Sequence, residues 1–187
     1  MKICVFCASS ADLSDSFYRE AEELGRSIAS AGWQIVYGGT KQGLMESLAK
    51  GAKEKNGYIK GIIPECIVEM GIADHGISEL LIAPDMKQRK ELMRESSDAF
   101  IALPGGWGTI EEISEVITLK QLGQHTKPIV FINTNGFYDS FLEFISQARD
   151  KHFISHKYDD LYQVVENVQE ALNAIKEYKF STVATKY

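Results

Sequence analysis

The chain is predicted to fold as an α/β domain built on a mainly parallel sheet with helices on both faces, and three observations carry that prediction. Short runs rich in β-branched residues and leucine alternate with helical stripes along the 187 residues, the signature of strands joined by helical crossovers. The runs lack a regular apolar–polar alternation, as strands covered on both faces do. Two glycine clusters stand where a strand hands over to a helix.

Taken in order, Ile3–Ala8 reads as the first strand. Phe17, Ala21, Leu24, Ile28 and Ala31 then recur three or four apart, giving one apolar stripe on a helix that Gly32 ends. Gln34–Tyr37 is the second strand, Leu44–Lys55 a helix and Tyr58–Ile63 the third strand. Between Pro64 and Ser78 the pattern lapses, and Gly71 and Gly76 bracket Asp74 and His75. That stretch is either a loop over a ligand or a plain connection. Strand Glu79–Ala83, helix Gln88–Ser96, strand Ala99–Leu103 and helix Ile110–Leu122 follow. Strand Ile129–Ile132, helix Phe137–Lys151, strand Leu161–Val165 and helix Val168–Tyr178 complete the order. One nucleotide-binding domain is expected over residues 1–178, with the patternless 179–187 as a flexible tail.

With 44% hydrophobic residues the chain can bury one proper core. A net charge of −6 argues against a broad basic footprint for nucleic acid or an anionic membrane, and leaves room for a small anionic ligand. No run approaches the ~20 apolar residues of a membrane helix, and the N-terminus reads straight into a strand rather than a signal peptide, so a cytoplasmic protein is expected. Cys4, Cys7 and Cys66 make an odd count, which speaks against a disulfide framework. Cys4-x-x-Cys7 has no second pair to complete a zinc site, and residues three apart on a strand point to opposite faces. His75, His125, His152 and His156 are scattered, so no metal is expected.

In a doubly wound sheet ligands bind beyond the carboxyl ends of the strands, where both glycine clusters fall. The first is Gly38-Gly39-Thr40-Lys41-Gln42-Gly43-Leu44-Met45, the second Pro104-Gly105-Gly106-Trp107-Gly108-Thr109-Ile110-Glu111-Glu112. Glycine lets the backbone turn sharply and bring successive N–H groups to a phosphate, to which a helix N-terminus adds a favourable dipole. Thr109 can contribute a hydroxyl donor. Neither cluster is a Walker A loop or a complete G-x-G-x-x-G with its distal acidic residue, which weakens kinase and dehydrogenase readings. Glu111 and Glu112 are expected in the first turn of the following helix, where the dipole favours carboxylates.

Pro104-Gly-Gly-Trp-Gly-Thr-Ile-Glu-Glu112 resembles the PGGxGTxxE signature of the cytokinin-activating phosphoribohydrolases, the Lonely Guy (LOG) family, many of whose members have carried the label lysine decarboxylase. Met86-Lys87-Gln88-Arg89-Lys90 is similar to the family's M-H-x-R-K segment, and Gly38-Gly39 with Gly43-Leu44-Met45 to its GGG-x-x-GLMG loop. The resemblance spans roughly residues 1 to 178. It implies a Rossmann-like fold, a homodimer with the active site near the interface, and hydrolysis of AMP or N6-substituted AMP to free base and ribose 5-phosphate. It calls for no cofactor. Arg89 and Glu112 match the family's catalytic pair, and Lys90, Gly106, Trp107, Gly108, Thr109 and Thr118 its nucleotide-binding positions. Gly39, Gly43, Gly105 and Glu111 join the substrate-binding set as members of the same segments.

The chemistry agrees with that assignment. Cleaving an N-glycoside passes through an oxocarbenium-like sugar, which a carboxylate near C1′ stabilises while orienting or activating water. Arg89 offers a fixed cation with a planar fork of donors, suited to a phosphate or to holding Glu112 ionised. The alternative for Arg89 is an ordinary surface helix arginine. Three positions depart from the family pattern: Thr40 for the third glycine, Glu46 for the last glycine of GLMG, and Lys87 for the histidine. Two further readings compete, a nucleotide or cofactor carrier that binds without hydrolysis and a pyridoxal-phosphate lysine decarboxylase.

Overall fold

The computed structural model describes residues 1–179. Of the expected tail only Lys179 falls among them, and 180–187 lie outside the described residues. The strands are β1 (Lys2–Phe6), β2 (Gln34–Tyr37), β3 (Ile59–Pro64), β4 (Glu79–Ala83), β5 (Ala99–Ala102), β6 (Ile129–Ile132) and β7 (Gln163–Val165). They form one parallel sheet in the order β4-β3-β2-β1-β5-β6-β7. The fold is therefore the Rossmann-like, doubly wound sheet that was expected.

Alternate residues of each central strand serve two cores. Ile3, Val5 and Cys7 join Ile35, Ile101 and Val130 on one face. The helices α1 (Asp15–Ser30), α2 (Gly43–Lys53) and α7 (Val168–Glu177) cover that face through Leu24, Leu48 and Leu172 among others. Cys4, Phe6, Phe100 and Phe131 point the other way. There α4 (Met86–Glu95), α5 (Trp107–Gln121) and α6 (Asp139–Asp150) close the second core with Met93, Ile113, Val116 and Phe141. Cys4 and Cys7 thus end on opposite sides of the sheet, and burial pushes both thiols above their ordinary range, with the charge of Glu112 adding to it. A thiol held protonated is a poor nucleophile, so both are core residues.

Glycine closes α1 as expected: Gly32 takes φ +71°, and the Gly32 and Trp33 amides donate to the Ala29 and Ile28 carbonyls. Some boundaries differ from the periodicity. The sixth helix begins at Asp139 behind a 3-10 turn at Thr134–Gly136, and a 3-10 turn at His156–Leu161 occupies the front of the expected last strand. Inside Pro64–Ser78 lies α3 (Glu65–Val68), a single helical turn too short to leave a stripe.

Candidate active site

The sheet order places β1 beside β5, with β2 on one side and β6 on the other, so the direction of winding reverses between β1 and β5. A crevice opens at the carboxyl ends of strands at such a point. Here it is a cavity of about 340 Å³. The stretch after β1 contributes Cys7, Ala8, Ser9 and Ser10, the first glycine loop Gly38, Thr40 and Met45, and the second loop Gly106, Trp107, Gly108 and Thr109. Arg89 and Glu112 complete the polar wall, while Pro64, Ile67, Ile72 and Met86 supply apolar surface.

Arg89 sits in the first turns of α4, whose N-cap Asp85 accepts a hydrogen bond from the Gln88 amide at 2.8 Å. Its side chain is buried rather than on the surface: Nε donates to the Ile62 carbonyl at 3.0 Å and Nη1 to Glu112 Oε1 at 2.6 Å. Both partners are only 6% exposed. Gly38 permits this arrangement, because a Cβ there would stand 2.4 Å from Arg89 Nη2. Burial pushes the Glu112 carboxyl above its usual range, and the Arg89 charge and hydrogen bond pull it back down in part.

Helix α5 starts at Trp107, three residues before the expected Ile110, with Gly106 as its N-cap. Glu111 and Glu112 accordingly lie in the second turn, and the expectation of first-turn carboxylates resting on the dipole is corrected. What holds Glu112 is Arg89. Gly105, Gly106 and Gly108 differ in purpose. A Cβ at Gly105 would meet Thr109 Oγ1 at 2.1 Å, so its bareness lets the buried threonine hydroxyl tuck beneath the loop. Gly106 and Gly108 have open space at that position, are exposed and line the cavity. Trp107 between them is 91% exposed at the mouth.

Other anticipated residues lie elsewhere. Gly39, at φ +77°, backs onto Ile63 and Leu80, and Gly43, at φ +58°, lets the start of α2 approach the Ala8–Ser10 backbone. Lys90 pairs with Glu111 and, at 2.6 Å, with Glu115 between α4 and α5, apart from the residues lining the cavity. Thr118 is exposed farther along α5 and donates to the Ser114 carbonyl at 2.8 Å. Of the three departures from the glycine-loop and M-H-x-R-K patterns, only Thr40 lines the cavity, where its hydroxyl rests on Met45 Sδ at 3.1 Å. Glu46 and Lys87 are exposed. Ser9, Ser10, Ile67 and Ile72 were not anticipated from sequence. For the two serines the signal was the switch-point rule, which needs the strand order that only the sheet supplies.

A family model described as "Possible lysine decarboxylase" matches residues 45–175. The chain is 41% identical over 175 residues to the cytokinin riboside 5′-monophosphate phosphoribohydrolase of Rhodococcoides fascians, covering 93% of this chain and 88% of that protein. To the phosphoribohydrolase LOG2 of Arabidopsis thaliana it is 39% identical over 177 residues, covering 95% and 83%. Among solved structures it resembles the molybdenum cofactor carrier protein of Chlamydomonas reinhardtii, with a TM-score of 0.72, 25% identity and 94% and 96% of the two chains covered. The molybdenum cofactor binding protein of Rippkaea orientalis is similar in fold, with a TM-score of 0.72 at 22% identity.

Proposed function

Since the chain belongs to the LOG family of phosphoribohydrolases, we propose that it hydrolyses the N-glycosidic bond of AMP or an N6-substituted AMP, releasing the free base and ribose 5-phosphate. The observation that carries this reading is the buried Arg89–Glu112 pair in the wall of a cavity that the glycine loop after β5 also lines.

The residues divide the work as follows. Amides of the Gly105–Thr109 stretch and the Thr109 hydroxyl take the 5′-phosphate, with the N-terminal dipole of α5 favouring its charge. The ionised Glu112 faces the anomeric carbon, offsets the positive charge that grows as the C–N bond lengthens, and accepts a proton from the attacking water. Water oxygen bonds to C1′, the bond electrons leave with the base, and the base is protonated from solvent. Arg89 keeps Glu112 ionised and aimed. Trp107 covers the base at the mouth, where its large ring has apolar surface to lose.

Lys90, Glu111 and Thr118 do not line the cavity, and the homodimer that the family resemblance implies would bring α4 and α5 of one protomer to the site of its partner. Each chain is then one nucleotide-binding domain over 1–178, working in the cytoplasm on small nucleotides rather than nucleic acid. Among the described residues no helix is long and apolar enough to cross a membrane.

Incubation of the purified protein with AMP and with N6-isopentenyl-AMP, followed by chromatography, tests the proposal. Free base is expected from at least one, and none from either, with the protein folded, refutes it. The likeness to cofactor carriers favours a second reading, binding without hydrolysis, which intact nucleotide recovered after prolonged incubation would support. Pyridoxal-phosphate decarboxylation does not fit the residues present. A Schiff base needs a lysine at the cofactor, none lines the cavity among the described residues, and the buried Lys120 spends its Nζ on the Leu161 carbonyl at 2.8 Å.

A further inference from the structure

We infer that Asp74 is a positioning residue that latches the 64–78 segment in place as the base-side wall of the nucleotide site, and so governs affinity for the base rather than the rate of bond cleavage. The inference rests on the nucleotide-binding reading of the cavity above.

The segment leaves β3 at Pro64, makes the single turn α3 and re-enters the sheet at Glu79. Its Pro64, Ile67 and Ile72 bring apolar surface to a cavity whose charged groups, Arg89 and Glu112, come from α4 and α5. A sugar phosphate uses the amides, the hydroxyl and the charges. What is left for a flat heteroaromatic base is apolar surface, of which this segment supplies three residues beside Met86 and Trp107.

Such a wall must be held against solvent, and a four-residue helix cannot do it alone. Two backbone bonds tie the segment to the first glycine loop: the Lys41 amide donates to the Ile72 carbonyl at 2.9 Å, and the Asp74 amide to the Gly39 carbonyl at 2.8 Å. Thr40 and Ala73 form an antiparallel bridge between them. The Asp74 side chain, only 7% exposed, then secures the end of this ladder. Its Oδ1 accepts from the Gly76 amide at 2.9 Å, and its Oδ2 accepts from Tyr37 Oη and Lys53 Nζ, each at 3.2 Å. One carboxylate thereby joins the end of β2, the last turn of α2 and its own turn. Tyr37 is fully buried and cannot follow if the segment moves. On the far side of Ile72, Gly71 takes φ +72°, and a Cβ there would meet nothing within 4 Å, so no side chain packs the segment in place at that point. None of these bonds reaches Arg89 or Glu112, which is why the effect falls on binding.

The test compares wild type, Asp74→Asn, Asp74→Ala and Lys53→Met for AMP hydrolysis, with inhibition by adenine and by ribose 5-phosphate measured alongside. For Asp74→Ala, KM for AMP and Ki for adenine are expected to rise about tenfold, the scale of a lost hydrogen-bonded charge. Its kcat and its Ki for ribose 5-phosphate stay unchanged. Asp74→Asn keeps one acceptor oxygen for the Gly76 amide but turns a donor toward Tyr37 Oη and Lys53, so it falls between, and Lys53→Met loses only the ion pair and shifts least. Wild-type values for AMP and adenine in Asp74→Ala overturn the latch, as does a loss of ribose 5-phosphate affinity in step with that of adenine. If Asp74→Ala does not fold, Asp74→Asn and Lys53→Met decide: no selective weakening of adenine in either refutes it. Should wild type bind AMP without releasing base, the hydrolase reading fails, while dissociation constants for the same three ligands still settle the latch.

Discussion

At the scale of single residues the proposed chemistry rests on the buried pair Arg89–Glu112. Glu112→Gln keeps size and hydrogen bonding but removes the charge and the base. A fall in kcat of about 10²- to 10⁴-fold with nucleotide affinity retained is expected, the usual weight of a positioned base, and steady-state kinetics with a binding titration check it. The acid limb of kcat/KM should lie above the ordinary glutamate range, because burial raises the Glu112 carboxyl in the folded enzyme. The sign follows from the proposed role: with the carboxylate as the working form, activity is full above that raised value and is lost as pH falls through it. Arg89→Ala removes the influence that pulls the carboxyl down and should move the limb to still higher pH. That the two would meet was hidden in the chain, because 23 positions and a strand separate them.

Elements add constraints that no single side chain shows. Helices α1 and α2 approach so closely that a Cβ at Gly51 would stand 1.8 Å from the Glu22 carbonyl oxygen, and one at Gly25 2.0 Å from that of Leu48. Both obstacles are backbone, which cannot swing aside. Gly51→Ala, favourable in an isolated helix, is therefore expected to destabilise the protein by ~1–3 kcal/mol through overpacking, read as a lower urea midpoint. The approach matters to the site because α2 begins at Gly43 in the first glycine loop. Element identity was largely legible in the chain, since runs such as Ile129–Ile132 and stripes such as Leu24–Ile28 record their own burial in their spacing. The early start of α5 was not, because Trp107, Gly108 and Thr109 show no apolar stripe and the N-cap position is a glycine without a capping side chain.

For the whole molecule, the reversal between β1 and β5 decides where the site lies, and a proposed second protomer decides whether it is complete. Mixing Lys90→Ala with Glu112→Gln, each weakly active alone, should restore AMP hydrolysis if Lys90 serves the partner's cavity; no recovery would confine each site to its own chain. By itself the sequence determined the order of the strands and of the longer helices and placed both glycine clusters between a strand and a helix, because backbone freedom and helical periodicity depend on neighbours along the chain. Tertiary structure alone decided that Ser9 and Ser10 join the site, that Arg89 is buried against Glu112, and that the irregular stretch around Asp74 stands as a wall. Those outcomes depend on which strands lie side by side, and burial across the assembled sheet, not any local preference, selects that order.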